Sequence, residues 1–235
     1  MAGTLYLVPN LLGIVAPEAV LPARTIDIAR RLDRWVVETP KAARAFLKSL
    51  NVQRPIAELD IAPLADRRAV DGLDPALAAI AAGYDVGLLS DAGCPGIADP
   101  GAALVAAAHA REVRVVPLVG PSAILLALMA SGMSGQRFCF HGYLPVKPEP
   151  RASALRALEQ QSRAGERAEI CIETPYRNAA LLRAMSETLS ARTRVCVAAD
   201  LTLATESIAC RTAAQWRNED AQRYDRRPAI FMLQA

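Results

Sequence analysis

The densest concentration of groups able to do chemistry is Leu89–Gly101, LSDAGCPGIADPG, which packs three glycines, two prolines and two carboxylates into thirteen residues. It follows an apolar run that reads as a strand. Glycine lets backbone groups approach a ligand closely, and Asp91 and Asp99 can accept hydrogen bonds from an amine or a ribose. A bent loop at the C-terminal end of a strand is where open α/β sheets bind ligands. The segment has no G-x-G-x-x-G and no Walker lysine, which disfavours a nucleotide-phosphate cradle. A purely structural alternative is a βα loop ending in a helix cap, and the Asp99-Pro100 pair explains Asp99 that way.

Two further segments have suitable chemistry. In Leu118–Ala127, LVGPSAILLA, Ser122 can cap a helix whose first N–H groups suit a ligand carboxylate; a serine-capped linker is the plainer reading. In Ile172–Asn178, IETPYRN, Glu173, Tyr176, Arg177 and Asn178 are polar groups at a strand-to-helix turn, free to face a ligand. An arginine there also opposes the helix dipole. His141 ends the apolar run RFCFH and reads as a packing residue rather than a base. Lys41, Arg44 and Lys48 share one helical face, either a solvated face or a phosphate-contacting stripe.

The elements that must position these residues alternate. Strands are expected at Leu5–Val8, Trp35–Glu38, Val86–Ser90, Val113–Pro117, Phe138–Gly142, Glu169–Glu173, Arg194–Ala199, Glu206–Cys210 and Ala229–Leu233. Helices are expected at Ala23–Leu32, Lys41–Leu50, Pro75–Ala82, Pro100–Arg111, Ser122–Ser131, Arg151–Arg163 and Pro175–Leu189. This βα alternation predicts an α/β protein with mainly parallel sheets. Thr39-Pro40, Asp74-Pro75, Asp99-Pro100 and Thr174-Pro175 each set a capping side chain before a proline suited to a first helical turn. The PLVGPS segment, Pro117–Ser122, marks a junction between two α/β lobes, 1–118 and 119–235, and LPVKPEP (Leu144–Pro150) reads as an exposed loop.

Composition bounds the function. The chain has 235 residues, 52% hydrophobic and 22% charged, a folded profile that excludes a disordered or collagen-like chain. The formal charge of +3 permits an anionic partner, but a protein that coats nucleic acid backbone would be more basic. Five single cysteines and only two histidines read as reduced thiols in a cytoplasmic protein. They show no zinc-ligand spacing, so no metal is expected, nor a histidine-based hydrolase. No apolar run reaches the ~18–20 residues of a membrane span. The opening TLYLVPNLLGIVA is expected to be a first core strand and loop rather than a signal peptide, because Pro9 and Asn10 interrupt it and no basic segment precedes it.

The stretches TLYLVP, LLSDAGCPGIADPGAALV, VVPLVGPSAILLALMASGM, RFCFHGYLPVKP and ETPYR, in this order, resemble the tetrapyrrole methylase superfamily of S-adenosylmethionine-dependent methyltransferases. Within it they are most similar to the RsmI type, which 2′-O-methylates cytidine in small-subunit ribosomal RNA. The string SDAG-x-P-x-I-x-DPG is the most specific piece. The resemblance implies two α/β domains with the methyl donor in the cleft between them, and a homodimer. Carried over by position, donor contacts fall on Leu12, Asp91, Gly93, Ile97, Ser122, Ala123, Glu173, Leu201 and Ala229, the first eight in loops after expected strands. Three features depart from the pattern. VPNLLG (Val8–Gly13) stands where a TPIGNL-like loop is expected, Glu38-Thr39-Pro40-Lys41 replaces an EDTR-like string, and the C-terminal extension typical of the branch is not in the sequence. The loop changes fall where acceptor recognition is expected. Three functions stay open: methylation of RNA, methylation of a tetrapyrrole or other small molecule, and non-catalytic binding on the same scaffold. For an RNA acceptor, Glu38 and Asp91 are both available to assist deprotonation of the hydroxyl.

Overall fold

Strand β4 (Val86–Leu89) is buried at all four positions and lies at the centre of a five-stranded sheet ordered β3-β2-β4-β1-β5. The partners are β1 (Thr4–Val8), β2 (Arg34–Val37), β3 (Asp60–Pro63) and β5 (Arg114–Pro117), and every pairing is parallel. These coordinates are a computed structural model that describes residues 2–64 and 75–235; the expected Asp74 cap lies outside the described residues. The chain divides into two units, Met1–Ser122 and Ala123–Ala235, so the division falls at the end of PLVGPS, after Ser122 rather than after Leu118.

In the first unit, α1 (Ala23–Arg31), α2 (Pro40–Ser49), α3 (Pro75–Ala81) and α4 (Ala102–His109) accompany the sheet. One core cluster gathers Val8, Ile26, Trp35, Val37, Phe46, Leu47 and Leu89, and another gathers Leu5, Val36, Leu77, Ile80, Val86, Leu88 and Leu104. The near-continuous apolar strands follow from this, since a parallel sheet of this kind is covered on both faces. Strand β3 was not expected. Its sequence, DIAP, holds only two apolar side chains beyond the proline and sits at the sheet edge, exposed at both ends, where a terminal proline is tolerated.

The second unit departs from the expectation of mainly parallel sheets. Its order is β6-β7-β10-β8-β9, built from β6 (Phe138–Tyr143), β7 (Ala168–Ile172), β8 (Arg194–Ala199), β9 (Ser207–Thr212) and β10 (Ala229–Gln234). Only β6–β7 is parallel; β7–β10, β10–β8 and β8–β9 are antiparallel. Loop length explains the last of these. The connection between β8 and β9 is too short for a crossover, whereas β6 reaches its parallel neighbour through α6 (Pro148–Gly165). That helix also replaces part of the expected LPVKPEP loop, with prolines in its first turn. The core here packs α6 and α7 (Asn178–Thr188) onto Cys171, Val195, Val197, Phe231 and Leu233, with Trp216 and Tyr224 in edge contact. Helix α5 (Ala123–Ser131) packs against β8, β9 and β10.

Candidate functional site

In the first unit the connection after β1 leads toward β2 on one side, while that after β4 leads toward β5 on the other. The C-terminal ends of β1 and β4 therefore form the topological switch point, where open α/β sheets bind ligands. The registers Val8↔Leu89 and Val37↔Leu89 align these ends with that of β2, so the next residues, Pro9, Ser90 and Glu38, leave the sheet side by side.

Asn10 organises this edge. Its N–H donates to the Gly93 carbonyl at 2.8 Å, and its side-chain amide donates to the carbonyls of Ser90 and Asp91, both at 3.0 Å. The Glu38 carboxylate accepts the Asp91 N–H at 3.1 Å, and the Thr39 hydroxyl donates to Asp91 Oδ2 at 2.8 Å. Gly93 has φ +67, and a Cβ there would lie 3.5 Å from Leu12 Cδ2 and 3.8 Å from the Pro121 carbonyl. Leu12, Asp91, Gly93 and the residue before Ser122 thus meet at one place, with Ile97 exposed on the same loop. Gly120 admits no side chain at all, because a Cβ would sit 2.2 Å from Pro9. That contact holds the GPS segment against the end of β1.

The capping expectations need correction. Thr39 does stand at the N-cap of α2 with Pro40 next, but its side chain makes no cap bond, because its hydroxyl is turned to Asp91. Thr174 likewise precedes a short 3-10 turn, Pro175–Arg177, without capping it, and its hydroxyl donates to Glu173 at 3.1 Å. Asp99 is not a cap either: α4 begins at Ala102 behind Gly101. Partial burial, with Glu38 and then Asp91 nearby, pushes the Asp99 carboxyl up to about 6. Three carboxylates therefore share this edge, a negative field that suits a cation.

In the second unit, Glu173, Leu201 and Ala229 come to one sheet edge. Ile172 pairs with Ile230 and Ala199 with Ala229, so Glu173 follows β7 and Leu201 follows β8 at the end where β10 begins. Ala229 is itself the first residue of β10, and Ala123 is the first residue of α5, within the helix expected over Ser122–Ser131. Glu173 and Asn178 are both engaged by partners within the protein. Glu173 Oε1 accepts from Arg177 at 2.7 and 3.0 Å and from the Thr174 N–H at 2.7 Å. Burial works against the ionised form, but these partners hold the carboxyl below its usual value. Asn178 is fully buried and donates to the carbonyls of Tyr224 and Arg227. Beside Leu201 the backbone is strained, with φ +52 at Asp200 and +73 at Thr202.

Two buried hydroxyls, Ser90 Oγ and Thr202 Oγ1, have no hydrogen-bond partner among the described residues. Each adjoins a residue expected to contact a ligand, Asp91 and Leu201. A buried polar group without a partner is costly, and sequence alone does not reveal it. Lys41, Arg44 and Lys48 are exposed on α2, opposite the buried Ala43, Phe46 and Leu47.

The expected packing histidine has a charged partner: His141 Nε2 lies 2.7 Å from Glu169 Oε2, whose other oxygen accepts from Arg167 at 2.6 Å. Cys139, His141 and Glu169 bring donor atoms within 4.8 Å of one another, a set able to hold a metal ion. Spacing along the chain hides it, because Glu169 comes from the neighbouring strand. The Arg167 guanidinium already balances that carboxylate. A cavity of ≈ 530 Å³ lined by Arg31, Arg34, Arg54, Glu58, Asp60 and Asp85 opens at the strand N-termini, away from the switch point. No helix among the described residues is long and apolar enough to cross a membrane.

The chain is 33% identical to the ribosomal RNA small subunit methyltransferase I of Synechocystis sp. over 203 residues, 85% of this chain and 67% of that protein. It is 31% identical to the enzyme of that name from Xylella fastidiosa, covering 98% of this chain and 80% of the relative. Against the Escherichia coli O157:H7 protein of that name identity is 33%, over 68% of this chain and 54% of the relative. The crystal structure of the methyltransferase CobJ superposes with a TM-score of 0.64 at 20% identity, over 99% of this chain and 94% of that one, a likeness of fold. The model of the tetrapyrrole (corrin/porphyrin) methylases matches residues 9–215, a span that runs from the Asn10 bridge through the β4 loop to the β8–β9 hairpin, and the chain belongs to that family.

Proposed function

We propose that this chain transfers a methyl group from S-adenosylmethionine to a ribose 2′-hydroxyl of small-subunit ribosomal RNA. The observation that carries the reading is the loop after β4, where Glu38, Asp91 and Asp99 gather around glycine turns at the switch point. A sulfonium donor is cationic, and such a loop complements it. The unpartnered hydroxyls of Ser90 and Thr202 are further positions that a polar ligand would satisfy. The names of the relatives described above support the RNA acceptor.

When bound, the donor supplies a methyl group on sulfur that an acceptor oxygen displaces in line. The residues assigned to it are Leu12, Asp91, Gly93, Ile97 and Ser122 in the first unit, and Ala123, Glu173, Leu201 and Ala229 in the second. Asp91 keeps one carboxylate oxygen beyond the one Thr39 occupies. Ile97 offers an exposed apolar surface to a flat ring. Glu173 acts through its Arg177 pair, which fixes the Thr174 turn. Asp99, half-buried on the loop after β4 beside Glu38 and Asp91 and raised to about 6, is assigned to take the hydroxyl proton. The Lys41/Arg44/Lys48 face of α2, which begins beside Asp91, holds the RNA backbone. A homodimer working in the cytoplasm completes the proposal, and light scattering at micromolar concentration tests the dimer.

The deciding experiment supplies methyl-labelled donor with immature small ribosomal subunits in one arm and a tetrapyrrole precursor in the other. Label recovered as a 2′-O-methylated nucleotide supports the proposal. Label in the tetrapyrrole alone replaces the acceptor, and label in neither, with no donor binding by calorimetry, leaves a non-catalytic binding protein.

A further inference from the structure

Cys196 on β8 and Cys210 on β9 are direct partners in the antiparallel ladder. Residues so paired have Cα atoms ~4.5–5.5 Å apart and Cβ atoms at a similar spacing. A disulfide requires Cα atoms ~4.4–6.8 Å apart and Cβ atoms ~3.5–4.5 Å apart. The backbone is therefore within range, and the side chains need to close only slightly. The two thiols differ sharply in access: Cys196 is fully buried and Cys210 is exposed. Their titration differs as well. A hydrogen bond from Cys196, aided by the Arg194 charge, draws Cys210 down to about 7, while the same bond and burial raise Cys196. An accessible thiolate beside a buried partner is the arrangement of an attacking and a resolving cysteine.

We propose that Cys196 and Cys210 form a reversible dithiol–disulfide couple, oxidised by low-molecular-weight disulfides such as oxidised glutathione. The Cys210 thiolate attacks one sulfur of the reagent, forming a mixed disulfide and releasing one glutathione thiolate. The Cys196 sulfur then attacks Cys210 Sγ, its proton passing to the second glutathione sulfur as that thiol departs. Two protein thiols are oxidised and one disulfide is reduced to two thiols. The bond would clamp the two strands that carry the Asp200–Glu206 loop, and with it Leu201. This inference rests on the hairpin alone and is independent of the methyl-transfer reading.

Among the other cysteines, Cys171 is buried and pushed up to about 12, and Cys94 is also raised by its burial. The experiment incubates the folded protein with oxidised glutathione and reads intact mass and peptide maps. The expected result is a mass lower by two hydrogens, a Cys196–Cys210 cross-link, and full reversal by dithiothreitol. Cys196→Ser, or Cys196→Ala if serine is not tolerated in the buried position, should instead trap glutathione on Cys210. Circular dichroism checks that the variant is folded. Stable glutathione on Cys210 of the wild-type protein, a cross-link formed only in urea, or no reaction at either cysteine would overturn the proposal; the wild-type arm decides it even if neither variant folds.

Discussion

Replacing Asp99 by Asn should make the protein more stable at neutral pH and less active, and the two effects have one origin. Asp99 is lifted from 3.8 to about 6 by partial burial and then by Glu38 and Asp91. The folded state thus binds a proton that the unfolded chain releases between these values. Stability from this group is greatest below 3.8, declines as pH rises to about 6, and stays low above it. At ~1.4 kcal/mol per tenfold change the ceiling is ~3 kcal/mol. Solvent screening of a partly exposed carboxylate brings the expected gain on Asp99→Asn to roughly 1–2 kcal/mol. Urea unfolding of both proteins from pH 4 to 7.5 measures the gap, which should be full at pH 7.5 and fall to a small fraction of that by pH 4. The transfer assay should show a slower chemical step. A variant less stable than wild type at pH 7.5, or a gap independent of pH, would refute the electrostatic account. Full activity in the variant would remove Asp99 as the proton acceptor.

Ser122→Tyr should abolish donor binding in calorimetry, because it adds a ring beside Pro121 and Gly93; unchanged affinity would take Ser122 out of the site. Replacing Lys41, Arg44 and Lys48 together by Ala should leave donor binding intact and flatten the salt dependence of RNA affinity, by about 0.7 in log–log slope for each lost phosphate contact. An unaltered slope would make the stripe a solvated face. Glu173→Gln should cost ~1–3 kcal/mol by weakening the hydrogen bonds to Arg177 and Thr174. Because the folded carboxyl is held below its usual 4.5, this difference from wild type should be complete above that pH and shrink as pH falls through the lowered value. A difference that persists undiminished in acid would point to lost packing instead.

The strands that face the core were legible because they are short apolar runs between turn residues, and Arg194–Ala199 has the expected bounds. Direction was harder to read. The few residues between the β8 and β9 runs already exclude a crossover, but strand–helix alternation elsewhere in the chain obscured that signal. Asp99 was misjudged for a different reason. An Asp-Pro pair has the composition of a helix start, and only the coordinates show Gly101 taking that position. The second-unit residues Glu173, Leu201 and Ala229 are far apart in sequence and meet only through the registers of β10. Cys196 and Cys210, and likewise Cys139 and Glu169, are cross-strand neighbours, and nothing in linear spacing marks a cross-strand pair.

The Thr39 hydroxyl has a consequence for the order in which ligands bind. It is committed to Asp91, so the first turn of α2 goes without a side-chain cap. A ligand that takes both Asp91 carboxylate oxygens displaces that hydroxyl, and a released Thr39 can turn to accept an N–H of its own helix, a bond typically worth about 1 kcal/mol. Occupying the β4 loop would then firm the start of the helix that carries Lys41, Arg44 and Lys48. Linkage makes the effect reciprocal: a polyanion that steadies α2 raises donor affinity by the same factor. One hydroxyl with two possible partners would thus make donor and acceptor bind cooperatively.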